Sequence, residues 1–202
     1  MKILSARNLY DMKHSCFDFD GKWLEIFGNA PKNGVWSIQG KEKHGKTAFT
    51  LSLVKYLSNF EKVLYVSAEE GTDALFVEAC KRAEIPATNK IGFLPYITIE
   101  KLTEKLKQRN AARIVVIDNM TVYMDEFKRN GIVDFMRKHE NILIIFISHE
   151  DRKEPATAAG RLVKKLAKII MRIEGLQVFI GGRCPGGTMI IHDEKADLYG
   201  II

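Results

Sequence analysis

The chain has 202 residues, 46% hydrophobic and 28% charged, which suffices for one sizeable core and excludes fibrous and disordered classes. No apolar run approaches the roughly 18 residues of a membrane span, and the opening "MKILSARNLYDMKHS" lacks the apolar stretch of a secretory leader. Lys and Arg number 31 against 25 acidic residues; the net charge of +6 is compatible with a polyanionic partner without requiring one. Cys16, Cys80 and Cys184 lie far apart with no CxxC pair, which fits reduced thiols in a cytoplasm and supports neither a disulfide framework nor a zinc site.

In chain order, residues 1–34 read as an irregular leader, because Gly21, Gly28, Pro31 and Gly34 interrupt every periodic run. Apolar runs then recur: "VWSI" (35–38), "KVLYVSA" (62–68), "ARIVVID" (112–118) and "NILIIFIS" (141–148). These four are continuous, the pattern of strands buried on both faces of a parallel sheet. Helical spacing fills the gaps at 47–58, 72–83, 98–110 and about 125–139; in the third, Ile99, Leu102 and Leu106 share a face. A polar connector, "HEDRKEPATAAGR", follows. Three more strands, "LAKIIMRI" (166–173), "LQVFIGG" (176–182) and "TMIIHD" (188–193), are joined by turns that predict antiparallel hairpins. The expectation is one α/β domain over 1–202, with a mostly parallel central sheet, flanking helices and C-terminal antiparallel hairpins.

Residues 40–47, "GKEKHGKT", match G-x-x-x-x-G-K-[ST] at every fixed position. The match sits between the "VWSI" strand and a helix, the context in which loop amides and a helix N-terminus converge on phosphate. Gly40 and Gly45 permit close backbone approach, Lys46 can reach β/γ oxygens, and the Thr47 hydroxyl can complete a Mg²⁺ shell. Gly40, Lys41, Glu42, Lys43, His44, Gly45, Lys46, Thr47 and the adjoining Ala48 are the candidate ATP contacts; Lys41, Lys43 and His44 are variable positions with no chemistry of their own. Asp118 closes "RIVVID", where a carboxylate can orient Mg²⁺. Glu69 and Glu70 follow the second strand, where a general base would orient or deprotonate water; Glu69, nearer the strand, is preferred.

"GKEKHGKTAFTLSLVKYL", "KVLYVSAEE", "RIVVIDN" and "NILIIFISHE" together resemble the ATPase core of RecA-like proteins, a superfamily of recombinases, RadA-type, KaiC-type and DnaB-type ATPases. The resemblance covers roughly 24–200 and looks like a stripped-down core without the family's accessory modules. It implies a sheet in which "ILIIFIS" lies between the phosphate-loop strand and the Asp118 strand. Ser148 or His149 would then stand at the polar sensor position, where the family's common glutamine is missing. It also makes "IGGRCPGG" similar to the basic interface turn of such ATPases, with Arg183 the arginine finger of a neighbouring subunit in a homo-oligomeric ring or filament. Two loops correspond in place to the family's single-stranded DNA loops: "NMTVYMDEFKRNG", with Tyr123 and Phe127 to stack on bases, and the 149–165 connector, with Arg152, Lys153, Arg161, Lys164 and Lys165. The leading reading is a Mg-ATPase coupled to single-stranded DNA in recombination, repair or replication. A DnaB-like helicase motor and a KaiC-like ATPase that switches a protein partner are the alternatives.

Overall fold

The continuous apolar runs become adjacent strands of one sheet in the computed structural model, which describes residues 3–88 and 90–191. The elements are α1 (Ala6–Tyr10), α2 (Gly21–Phe27), β1 (Gly34–Gly40), α3 (Lys46–Leu57), β2 (Val63–Ser67), α4 (Ala74–Arg82), β3 (Ile91–Leu94) and α5 (Ile99–Leu106). There follow β4 (Ile114–Asp118), α6 (Gly131–Lys138), β5 (Leu143–Asp151), β6 (Glu154–Pro155), α7 (Ala158–Leu166), β7 (Ile169–Glu174), β8 (Gln177–Gly182) and β9 (Gly187–Ile190). Strand order is β3-β2-β4-β5-β1-β7-β8-β9, with β6 on β5. The first six strands of that order run parallel and β8 and β9 antiparallel, as expected for the C-terminal hairpins. Strand β5 lies between β1 and β4, the order the resemblance implies.

Two apolar layers cover the sheet. One packs Trp36, Ile38, Leu53 and Tyr65 with Phe17, Phe19 and Phe27; the other packs Val115, Ile117, Ile144 and Phe146 with Tyr123, Phe127 and Phe135. Each such side chain taken out of water contributes about 1.5–3 kcal/mol before the entropy of ordering it. The segment expected to be irregular therefore is not. Within 1–34, α2 is helical and Phe17, Phe19, Ile26 and Phe27 are buried; aromatics at non-periodic spacing hid this packing from a reading based on period.

Other boundaries moved for local reasons. Strand β3 went unforeseen because it is four residues long and holds Gly92 beside Pro95. The helix expected at 125–139 is confined to α6, after a run of turns whose Tyr123 and Phe127 are buried. The polar connector is ordered: β5 continues to Asp151, β6 folds back on it, and α7 opens with Thr157 accepting a hydrogen bond from the Gly160 amide at 3.0 Å. Leu166 thus ends a helix, and the following strand begins at Ile169. Of the last expected strand, residues 192 and 193 lie outside the described residues. No helix among the described residues is long and apolar enough to cross a membrane.

Candidate functional site

The parallel strands all end on one side, and there the loop 40–47 joins β1 to α3. A Cβ on Gly40 would stand 2.7 Å from the Ile173 carbonyl oxygen of neighbouring β7. Gly45 has φ +96°, a backbone that side chains avoid, and immediately precedes α3. The first-turn amides of α3, from Lys46, Thr47 and Ala48, therefore face the loop's concavity as anion donors. The Lys46 ammonium donates to the Lys41 carbonyl at 2.8 Å across that concavity. Burial lowers its pKa, opposed by Asp118, Glu69, Glu42 and Glu150. The loop is braced from outside: the Gly175 amide, in the β7–β8 turn, donates to His44 Nδ1 at 2.9 Å. Lys41, Glu42 and Lys43 are exposed on the loop's outer rim.

Across from the loop stand the carboxylates. Asp118 ends β4, and the Tyr65 hydroxyl donates to its Oδ2 at 2.7 Å. Burial pushes the Asp118 carboxyl up to about 6; the Tyr65 bond opposes this, while Glu69 and Glu70 add to it. Glu69 is held by two groups that converge on one oxygen. The Asn119 amide donates to Glu69 Oε2 at 2.7 Å, and His149 Nε2 lies 3.2 Å from the same atom and 3.1 Å from Asn119 Nδ2. Asn119 reaches this position in a left-handed conformation, φ 67°. His149 ends up beside the loop because β5 pairs with β1 in the register that sets it against Gly40. Glu70 makes no such contacts among the described residues; burial and the neighbouring Glu69 charge raise its pKa.

Lys46, Thr47, Glu69, Asp118 and His149 line one cleft of about 920 Å³ together with the apolar Leu176, Met189 and Ile191; Leu176 and Ile191 adjoin the loop itself, 2.7 and 3.2 Å from where a Gly45 Cβ would be. Charged groups with an adjoining apolar wall suit a triphosphate and a base. Mg²⁺ fits the donors present: a hydroxyl and a carboxyl are hard oxygen ligands, and a buried Asp118 whose charge is penalised gains from a cation. No cluster of three His, Cys, Asp or Glu side chains able to cage a metal occurs among the described residues, and Mg²⁺ on a nucleotide asks for none.

Several expected residues lie elsewhere. Ser148 is buried under α7, its Oγ 2.9 Å from where a Gly160 Cβ would be, and so faces away from the phosphate end. Tyr123 and Phe127 are core residues rather than base-stacking ones: the Tyr123 hydroxyl donates to the Ile97 carbonyl at 2.9 Å, and Phe127 packs on Phe135 and Phe146. Of the connector's cations, Arg161 is spent on the carbonyls of Pro155 and Ala156 and Lys164 on Glu154, whereas Arg152 and Lys153 stand exposed at the β5–β6 turn. Arg183 is exposed just beyond β8, at the sheet end opposite the loop, where its amide donates to the Lys168 carbonyl at 2.6 Å. It cannot serve the site of its own chain.

Sequence reasoning passed over Asn119, although an amide directly after the Asp118 strand was visible in "RIVVIDN". It also passed over a buried network behind the loop. Gln39 donates to Glu150 Oε2 at 3.2 Å and to the Lys153 carbonyl at 2.9 Å, and Arg172 forks Glu150 at 2.7 and 2.8 Å while reaching Glu174 at 2.8 Å. Strand register alone brings these four together, so no local spacing announces them.

The geometry has relatives. The chain is 25% identical over 158 residues to the DNA repair protein RadA of Aquifex aeolicus (strain VF5), a match over 73% of this chain that spans only 35% of RadA's length. Its structure is similar to the flagellar accessory protein FlaH of Methanocaldococcus jannaschii, with TM-score 0.63, 15% identity and coverage of 87% of this chain and 91% of FlaH. It is likewise similar to the ATPase domain of G40P, with TM-score 0.60, 16% identity and coverage of 84% and 85%. No family profile matches the chain. With the strand order β2-β4-β5-β1, the phosphate loop after β1 and the acid at the end of β4, the chain has the RecA-like P-loop fold and carries its phosphate-loop signature.

Proposed function

We propose that the chain binds and hydrolyses Mg-ATP, and that Glu69 is the base for the attacking water. The observation that carries this is the fastening of Glu69 by Asn119 and His149 on the cleft wall that also holds Lys46, Thr47 and Asp118. In this reading Lys46 and the α3 amides take the β- and γ-phosphates, and the apolar wall of Leu176, Met189 and Ile191 takes the base. Thr47 and Asp118 would hold Mg²⁺, which supplies charge neutralisation at the phosphate oxygens. Asn119 fixes the Glu69 carboxylate toward the phosphate end, and His149, beside Gly40, acts as the polar group that registers the γ-phosphate.

Coupling to single-stranded DNA is the finer half of the proposal. Support comes from the RadA likeness and from Arg152 and Lys153, exposed at a turn that Gln39 ties to β1 directly before the phosphate loop. Arg183, at the far sheet end, acts on a neighbouring copy in a head-to-tail assembly. A second reading, a regulatory ATPase that switches a protein partner, draws on the burial of Tyr123 and Phe127, which removes the expected stacking pair. Phosphate release with and without single-stranded DNA separates the two: stimulation supports the first, and turnover indifferent to DNA supports the second.

A further inference from the structure

Cations gather at one end of the sheet. At the phosphate-loop end both signs are mixed: the connectors after β2, β4 and β5 carry Glu69, Glu70, Asp73, Asp125 and Glu126 beside Lys128, Arg129, Arg152 and Lys153. At the opposite end, the connectors into β2, β3 and β4 carry Lys62, Lys90, Lys107, Arg109 and Arg113, all exposed. Two clefts open there, of about 250 and 510 Å³, and they share Glu61 and Arg113 as a common wall. Lys13 and Lys32 line the smaller, Lys62 and Lys107 the larger. The Arg113 amide donates to the Lys62 carbonyl at 3.0 Å, so these two cations start adjacent strands about 4.8 Å apart.

The shared carboxylate does not neutralise the patch, because Glu61 is paired with Lys32 at 3.0 Å. Among the described residues no carboxylate pairs with Lys13, Lys62, Lys107, Arg109 or Arg113. Helix C-termini attract cations, and that accounts for Lys105 in α5 and Lys138 in α6. It accounts for Lys107 too, the C-cap of α5, but not for Lys62, Arg109 or Arg113. Crowded like charges cost stability unless a polyanion meets them.

We infer that these adjoining clefts form a second, sequence-indifferent binding surface for the phosphate backbone of duplex nucleic acid, at the sheet end opposite the nucleotide. Neither cleft has a Phe, Tyr or Trp in its lining, so base stacking, the mode of single-strand binding, is absent there. The lining amides Asn33, Gln108, Asn110 and Asn141 suit phosphate oxygens. Insertion into a lipid surface needs exposed large apolar groups; residues 58–62, 107–113 and 139–142 expose none, whereas Tyr10 and Met12 stand exposed beside Lys13 of the smaller cleft, so the vesicle arm of the test decides between lipid and DNA. The inference rests on the nucleic-acid half of the proposed function and is independent of ATP hydrolysis.

The test is fluorescence anisotropy with a 30-base-pair duplex of arbitrary sequence, across a salt series, for the whole chain and for Lys62→Ala/Lys107→Ala/Arg109→Ala. The triple variant should melt as the parent does, since all three side chains are exposed. It should lose about 30-fold or more in affinity and flatten the log–log salt slope by about 2.7, the value for three lost phosphate contacts. An Arg152→Ala/Lys153→Ala variant, which removes the cations proposed for single-stranded DNA, should lose far less duplex affinity than the triple variant. Equal binding by the triple variant, loss with the Arg152/Lys153 variant instead, or binding to phosphatidylserine vesicles without binding to DNA would each overturn the inference. ATP turnover measured on the same samples keeps the two proposals apart: a parent that hydrolyses ATP but ignores duplex sinks only this one.

Discussion

Asn119 donates its side-chain amide to Glu69 at 2.7 Å, across the gap between two strand ends, and so fastens one of the two adjacent carboxylates that line the cleft. Glu69→Gln should therefore bind Mg-ATP near normally and turn it over at least 100-fold more slowly. Glu70→Gln should keep most of the rate. Asn119→Ala should lower turnover about 10-fold with nucleotide affinity little changed, because it positions the base without touching phosphate. Steady-state phosphate release beside fluorescent-nucleotide titration reads both quantities, and a dead Glu70→Gln would move the base by one residue.

Asp118 predicts a trade between stability and activity. Its folded-state carboxyl titrates at about 6, above an ordinary aspartate, so the folded chain holds a proton that the unfolded chain releases between about pH 4 and 6. Stability without ligand should fall as pH rises through that window, by about 3 kcal/mol at most. Asp118→Asn should then melt higher than the parent at pH 8 and equally at pH 4. It should also lose the extra stabilisation that Mg²⁺ with nucleotide gives the parent. Melting scans at both pH values, with and without Mg-ATP, check the sign.

Glu150 is fully buried beneath Arg172, and Gln39 satisfies it from β1. Removing the guanidinium leaves a buried carboxylate unpaired, so Arg172→Met should cost about 3–5 kcal/mol. The double change Arg172→Met/Glu150→Gln should recover much of that loss. Chemical denaturation of the three proteins measures it; an unchanged midpoint in Arg172→Met would show that the pair is dispensable.

Arg183 offers a test of assembly. If it serves a neighbour, Arg183→Ala binds ATP yet turns over slowly, and mixing it with Lys46→Ala subunits restores some rate. Turnover independent of protein concentration, by a chain that sediments as a monomer, makes Arg183 an ordinary turn residue.

The parallel core was legible because "VLYVS", "IVVID" and "LIIFIS" are too apolar to be anything but strands covered on both faces, and the phosphate loop because its glycines, lysine and threonine have fixed spacing between a strand and a helix. The leader was not legible: Phe17, Phe19 and Phe27 bury themselves on Trp36 and Phe60 at spacings that follow no period. Tyr123 and Phe127 misled for the opposite reason, since a loop aromatic looks the same in sequence whether it faces solvent or core. Gln39, Glu150 and Arg172 became visible only when strand register joined them, whereas Asn119 stood in plain sight after Asp118 but had no partner until the fold brought Glu69 to it.

The most direct measurement is phosphate release from ATP by the purified chain, with Mg²⁺ or EDTA, beside Lys46→Ala. Hydrolysis by the parent that requires Mg²⁺ and disappears in Lys46→Ala, with its melting curve preserved, is the predicted result. A parent that neither binds nor hydrolyses ATP, or a Lys46→Ala protein that does so equally well, would contradict the account.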